Sequence, residues 1–246
     1  EGDMGIEEVK YHTHLKKGDI GRYVILPGDP FRTDLIASYL EDAVLVAENR
    51  ELKTWSGYLD GVKVSVTSTG MGGPSTAICV EELIQIGADT FIRLGTAGRV
   101  CDDAFDESLI GVINTAAVRD EGTGKQYIPI EYPAIADRHV VDALAKAAKK
   151  LNYKFGEGIT QSKDSFFGQH EPENMPVEGR LKDRWEAWRR GNVMTSEMEA
   201  ATLFVISSIR GCRAGAIMNF IDMDKTIQVT REALRILINK DREEGK

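Results

Sequence analysis

Cysteine is scarce in this chain, and what little there is forms no pattern. Three cysteines in 246 residues, Cys79, Cys101 and Cys212, stand far apart and are odd in number. They give neither a disulfide framework nor zinc-ligand spacing, which points to a reducing compartment. Long apolar runs are also missing. None reaches the length of a membrane span, and the opening "EGDMGIEEVKYHTHL" has no signal-peptide apolar core. A cytoplasmic protein with no membrane partner is expected. Runs of Lys and Arg are absent as well, against a net charge of −8. Duplex nucleic acid is therefore not an expected partner, although a local positive pocket is compatible with this charge. There is no GxxxxGK[ST] phosphate loop, and "GTAG" is not a dinucleotide fingerprint.

What remains is an ordinary globular mix, 42% hydrophobic and 28% charged, with neither a repeat nor a linker rich in Pro, Gly or Ser. The length suits one domain spanning residues 1–246 with a substantial core. Strand candidates are Tyr23–Leu26, Val62–Thr69, Thr90–Leu94 and Ser108–Val118. Helical patterns cover Arg32–Leu40, "TAICVEELIQI" up to Gly87, "VVDALAKAAKKL" behind a capping Asp137, and "TIQVTREALRILI". Strands alternating with helices predict an α/β fold, a largely parallel or mixed central sheet flanked by helices on both faces.

Three strands run into glycine-rich turns: "PGDPFR", "TGMGGPS" and "RLGTAGR". In an open α/β sheet ligands sit beyond the carboxyl ends of the strands, and glycine lets backbone N–H groups approach an anion. Each turn taken alone is equally well a tight turn and nothing more. Arginine tips the balance: Arg32 follows the first turn, Arg93 lies in the strand leading to the third, Arg50 sits between the first two, and Arg grips phosphate with two donors. A small anion such as free phosphate fits better than a nucleotide. In "TSEMEAATLF", Ser196 and Glu199 have the S-x-x-E spacing of a capping box. The same stretch also pairs carboxylates with a thioether, which suits ribose hydroxyls on one side and an apolar sugar face on the other. Composition does not choose between the two.

Along nearly its whole length the chain resembles the uridine phosphorylases, within the wider nucleoside phosphorylase family. The matching pieces are "YHTHLKKGDI", "LPGDPFR", "NRELKTW", "STGMGGPSTAICVEEL", "FIRLGTAGRV", "AAVRDEG", "IEYPAIAD", "SKDSFFGQ" and "TSEMEAATLF". The resemblance implies phosphate held by Gly28, Arg32, Arg93 and Thr96, with Arg50 supplied by a neighbouring subunit. It implies ribose held by Glu197, Met198 and Glu199, and by His12 reaching across from that neighbour. Phe166 would stack on the base and Gln169 would read its polar edge. Arg93, Glu199 and Gln169 would form the catalytic set. The other histidines, His14, His139 and His170, gain no role.

The implied reaction is phosphorolysis of uridine to uracil and ribose 1-phosphate in pyrimidine salvage, by a homodimer or an assembly of dimers. No cofactor is required, though relatives can hold an interface cation through residues matching Glu51 and Ser75. Two departures stand out. The family carries an arginine two residues after the glutamine, where this chain has Glu171. It also carries a longer stretch with a flexible lid where only "FIDMD" intervenes here, so either the lid is short or the numbering closes over it. Asp222 lies near the place of the acid that protonates a purine in purine-specific relatives, and is not taken as its counterpart. Three alternatives remain: a purine nucleoside phosphorylase of the same fold, a nucleosidase in which water replaces phosphate, and a non-catalytic nucleoside-binding protein. The full arginine set argues against the nucleosidase.

Overall fold

Tyr23–Leu26, buried along its whole length, forms strand β1. The computed structural model describes residues 8–101 and 106–246. After β1 comes α1 (Pro30–Ala37), which starts earlier than the apolar pattern predicts. Asp29 accepts from the Phe31 N–H at 2.9 Å, and Pro30 brings a φ already suited to a first turn. A meander follows, made of β2 (Glu41–Asn49), β3 (Leu52–Leu59) and β4 (Val62–Thr67). Then come α2 (Gly72–Gln85), β5 (Thr90–Thr96), β6 (Gly98–Arg99), β7 (Gly111–Arg119) and β8 (Ala134–Ile135).

Helix α3 (Arg138–Lys150) is capped by Asp137, as expected, through the His139 and Val140 N–H groups at 2.9 and 3.1 Å. The chain continues through β9 (Phe155–Ser162), α4 (Phe166–His170), α5 (Glu178–Arg190) and β10 (Thr195–Glu197). It ends with α6 (Ala200–Arg210), β11 (Arg213–Asn219) and α7 (Met223–Glu243).

Among the described residues the strands form one sheet in the order β2-β3-β4-β1-β5-β11-β7-β9-β10-β6, with β8 on β7. The sheet is mixed: β4-β1-β5-β11 and β7-β9-β10 run parallel, while β11 meets β7 antiparallel. Helices cover both faces, as predicted. Helices α2 and α6 pack with Val24 and Leu26 on one side, while α1, α3 and α7 pack with Tyr23 and Ile25 on the other.

One feature of the order positions the site. Strand β6 follows β5 after a single residue, yet pairs with β10, four places along the sheet. The sheet therefore curls until β10 approaches the carboxyl end of β5, and side chains from both ends face each other. Where the resemblance leads one to expect a lid, Asn219 ends β11 and Asp222 already caps α7. Phe220 and Ile221 form the turn between them, each donating its N–H to the Ile110 carbonyl.

Candidate active site

A charge in the middle of the apolar strand "TFIRL" needs a partner, because a buried guanidinium is costly unless paired. Arg93, only 3% exposed, has two partners. Its Nε donates to Glu197 Oε2 at 2.9 Å, and its Nη2 lies 3.1 Å from Glu199 Oε1. Burial works against the charged form of Arg93, but Glu199 and Glu197 more than offset it and the pKa rises. Nη1 is buried with no hydrogen-bond partner among the described residues. An orphan N–H on a buried cation marks a place for an anion.

The two carboxylates differ in how they are used. Glu197 Oε2 also accepts from the Glu199 and Ala200 N–H groups at 2.7 and 2.8 Å, and its Oε1 accepts from the Ser162 hydroxyl. Glu197 therefore caps α6, and the Ser196–Glu199 capping box is replaced by this arrangement. The physical reason is that Ser196 is still in β10, so its hydroxyl is turned to other partners. Glu199 takes the Gly72 N–H at 3.2 Å, at the start of α2, and otherwise contacts Arg93. Gly72 has a φ of +83°, so the "TGMGGPS" turn serves Glu199 through a backbone that glycine adopts freely. Burial raises the Glu199 pKa; Arg93 lowers it by less, and Glu197 adds to the rise.

Gly28, Arg32, Arg93, Thr96 and Glu199 line one open cavity of about 630 Å³, with Gly95 and Met71. Residues of all three glycine-rich turns line it. A second cavity of about 310 Å³ shares Met71, Arg93, Thr96 and Glu199 with the first and adds Lys163, Phe166, Ser196 and Met198. The structure thus brings Met198 and Phe166 to one side of the carboxylates and the glycine turns to the other.

Gln169 lies beyond Ser196. Its Nε2 donates to Ser196 Oγ at 2.8 Å, and that hydroxyl donates in turn to Gln161 Oε1 at 2.8 Å. The chain of donors fixes the amide's orientation and leaves Gln169 Oε1 buried and without a donor among the described residues. Glu171 faces solvent, accepting from Asn174 Nδ2 at 3.1 Å. Lys163 went unnoticed in the sequence. It is only 6% exposed, and its Nζ donates to Ser196 Oγ at 3.0 Å.

His12 and Arg50 do not line either cavity of their own chain. They sit close to each other, with Asn49 Nδ2 donating to the His12 carbonyl at 2.9 Å, and Arg50 takes a left-handed φ of +54°. Buried Glu82 fixes His12, accepting from its Nδ1 at 2.8 Å and its N–H at 2.9 Å. Burial would raise the Glu82 pKa, but the N–H groups of His12 and Thr13 outweigh it and the pKa falls. Glu51 and Ser75 meet, the hydroxyl donating to Glu51 Oε1 at 2.8 Å. They offer two hard oxygen donors, too few for a cation unless a second chain brings the same pair. Asp222 spends its carboxylate on the Lys225 N–H at 3.0 Å. No described helix is long and apolar enough to cross a membrane.

The family model described as "Phosphorylase superfamily" matches residues 22–238. Uridine phosphorylase of Treponema pallidum is 45% identical over 250 residues, covering 95% of this chain and 96% of its own. Uridine phosphorylase of Thermococcus kodakarensis is 47% identical over 213 residues, 86% of this chain and 76% of its own. A guanosine phosphorylase of Halorubrum lacusprofundi is 37% identical over 206 residues, 84% of this chain and 80% of its own.

Proposed function

The chain belongs to the phosphorylase superfamily, and on that premise we propose that it catalyses the reversible phosphorolysis of uridine to uracil and ribose 1-phosphate, in pyrimidine salvage. One observation carries the reading. Arg93 and Glu199 stand where the two cavities join, with Arg93 Nη1 unpartnered among the described residues. A phosphate in the first cavity and a nucleoside in the second would meet at that boundary.

On this reading the Gly28 N–H, Arg32, Arg93 and Thr96 hold phosphate, which arrives as an anion and needs no base to deprotonate it. Glu199 accepts the ribose hydroxyls and Met198 lies against the sugar. Glu197 is saturated by its own protein and keeps Arg93 in place. The bond from C1′ to the base breaks through an oxocarbenium-like sugar. The site's contribution is to place phosphate against C1′ and to stabilise charge on the departing base. Phe166 stacks on that base, and Gln169 Oε1 accepts from its ring N–H. His12 and Arg50 complete the site of a second subunit in a homodimer, and a cation between the subunits would be held by Glu51 and Ser75 of each. No step requires a cofactor, and the setting is cytoplasmic.

The guanosine phosphorylase relative supports a second reading, with a purine nucleoside as substrate. Free-base release from uridine and from inosine, each with and without inorganic phosphate, tests both. Uracil released only with phosphate is the expected result. Hypoxanthine alone would transfer the reading to purines, and release without phosphate would remove phosphate from the site.

Gly28→Ala tests the anion cradle. An added Cβ would lie 3.4 Å from Glu199 Oε1 and 4.0 Å from Arg93 Nη1, ordinary contacts that the fold tolerates. The methyl would instead take up space in the cavity that Gly28 shares with Arg93 and Glu199. The melting temperature should hold, while the KM for phosphate rises roughly tenfold, the equivalent of about 1.4 kcal/mol. An unchanged KM in a steady-state titration of phosphate would take Gly28 out of the cradle.

A further inference from the structure

Strands β9 and β10 run parallel with Ser162 and Glu197 in register, so the two side chains leave the sheet side by side on one face. Both residues are buried, and the Glu197 side chain is only 1% exposed. A carboxylate that far from water needs both of its oxygens satisfied. Oε2 takes the Arg93 Nε–H and the N–H groups of Glu199 and Ala200. Oε1 takes one hydrogen bond among the described residues, from the Ser162 hydroxyl. Ser162 Oγ in turn accepts the Ala201 N–H at 2.9 Å, in the first turn of α6. One hydroxyl therefore ties the end of β9 both to α6 and to the carboxylate that carries Arg93.

Arg93 carries a second acid as well. Glu199 Oε1 lies 3.1 Å from its Nη2, so two carboxylates share one cation. The charged groups facing them are Arg93 on β5, Lys163 just after β9, and each other, at the end of β10 and the start of α6. Acids this close take up protons as a pair, and the surroundings of each decide what the pair does. Burial raises the Glu199 pKa, with Arg93 opposing and Glu197 adding. On the reading above, a proton on Glu199 takes away an acceptor for ribose, and one on Glu197 loosens the guanidinium. Turnover therefore needs the pair unprotonated, and every donor aimed at it helps.

We propose that Ser162 is a positioning residue of the reaction, its hydroxyl holding Glu197 on Arg93 Nε and so keeping Nη1 turned toward the cavity of Gly28. This rests on the uridine reading above. Ser162 lines neither of the two cavities that meet at Arg93, so it acts on the substrates only through Glu197 and Arg93.

The test compares Ser162→Ala with the wild type on kcat/KM for phosphate at saturating uridine, from pH 4 to pH 8. Phosphate's own titration is common to both proteins and cancels. Without the donor the pair should bind a proton more readily, so the acid limb of the profile should move up by about one pH unit, the scale of one hydrogen bond to a charged group. Above the limb the rate should change far less. An unmoved limb, or a loss equal at every pH, would overturn the proposal, because a hydroxyl that only packs does not sense the proton. Thermal unfolding supplies a second arm. Ser162→Ala should lower the melting temperature more at pH 8 than at pH 4, where a proton on the pair stands in for the lost hydrogen. In the Glu197→Gln background that pH dependence should vanish. If it persists there, the hydroxyl acts elsewhere and the proposal fails. A wild type that releases no uracil with phosphate refutes the uridine reading itself, before any variant is compared, and the proposal falls with it.

Discussion

Arg93→Met is expected to abolish turnover and to destabilise the fold at the same time. The guanidinium is the counter-charge for two buried carboxylates, Glu197 at 2.9 Å and Glu199 at 3.1 Å. Methionine fills much of the same volume and returns none of the charge. Breaking a buried pair by removing one partner costs about 3–5 kcal/mol, and here one cation serves two anions. Part of that cost is recovered when Glu199 takes up a proton, which its raised pKa makes easier. On the proposed reading turnover loses both the Nη1 donor for phosphate and the ionised Glu199, so kcat/KM should fall by at least roughly 10³-fold, the upper range for one transition-state donor. The two effects separate in the Arg93→Met/Glu197→Gln double variant. Neutralising Glu197 removes one stranded charge while its side-chain oxygen still accepts the α6 N–H groups, so stability should return in part and activity should not. Thermal unfolding and uracil release read the two independently. An Arg93→Met protein within tenfold of wild-type activity would remove Arg93 from the centre of the site.

The architecture was legible in the sequence wherever a run was buried on both faces. Tyr23–Leu26 and Thr90–Leu94 are such runs, and Arg93 was conspicuous for being a charge within one. Strand β2 was not legible. Its residues are largely exposed in the single chain, Val44 at 60% and Leu45 at 46%, so "EDAVLVAEN" shows no clean alternation. Nor could spacing reveal that β6 crosses to pair with β10, since closure of a sheet is a long-range property. The stretch "TSEMEAATLF" misled for a local reason. Its S-x-x-E spacing is that of a capping box, but the strand extends through Glu197, and the helix begins one residue after Glu199. The residue that caps α6 is therefore the carboxylate between them. Lys163 was invisible because a lysine in sequence reads as surface. Only the turn from β9 into α4 puts its ammonium beside Ser196.

Glu199→Gln should separate function from stability in the opposite direction from Arg93→Met. Glu199 is the carboxylate with capacity to spare: its protein contacts are the Gly72 N–H and Arg93, whereas Glu197 is filled from all sides. If Glu199 holds the ribose as proposed, the amide offers its hydroxyls one acceptor in place of a charged pair. Hydrogen bonds to sugar hydroxyls that strengthen in the transition state are worth several kcal/mol, so kcat/KM should fall roughly 10²–10³-fold. Stability should rise at neutral pH. Burial holds the Glu199 pKa above its unfolded value, with Arg93 opposing and Glu197 adding. Between the unfolded and folded pKa values the native state binds more protons than the unfolded chain, so stability falls as pH rises through that window. The unfolded value is about 4.3, so the window opens there and extends upward. At pH 7 the ionised form is held at a cost that the amide does not carry. Melting temperatures of the two proteins from pH 4 to pH 8 check the sign: glutamine should lead at the neutral end, and the gap should close toward pH 4. A variant less stable than wild type at pH 7 would mean that the Arg93 pair outweighs burial. A loss of activity under tenfold would assign the ribose to another residue. The expected pairing of lost turnover with gained stability would mark Glu199 as a charge the fold tolerates because the reaction needs it.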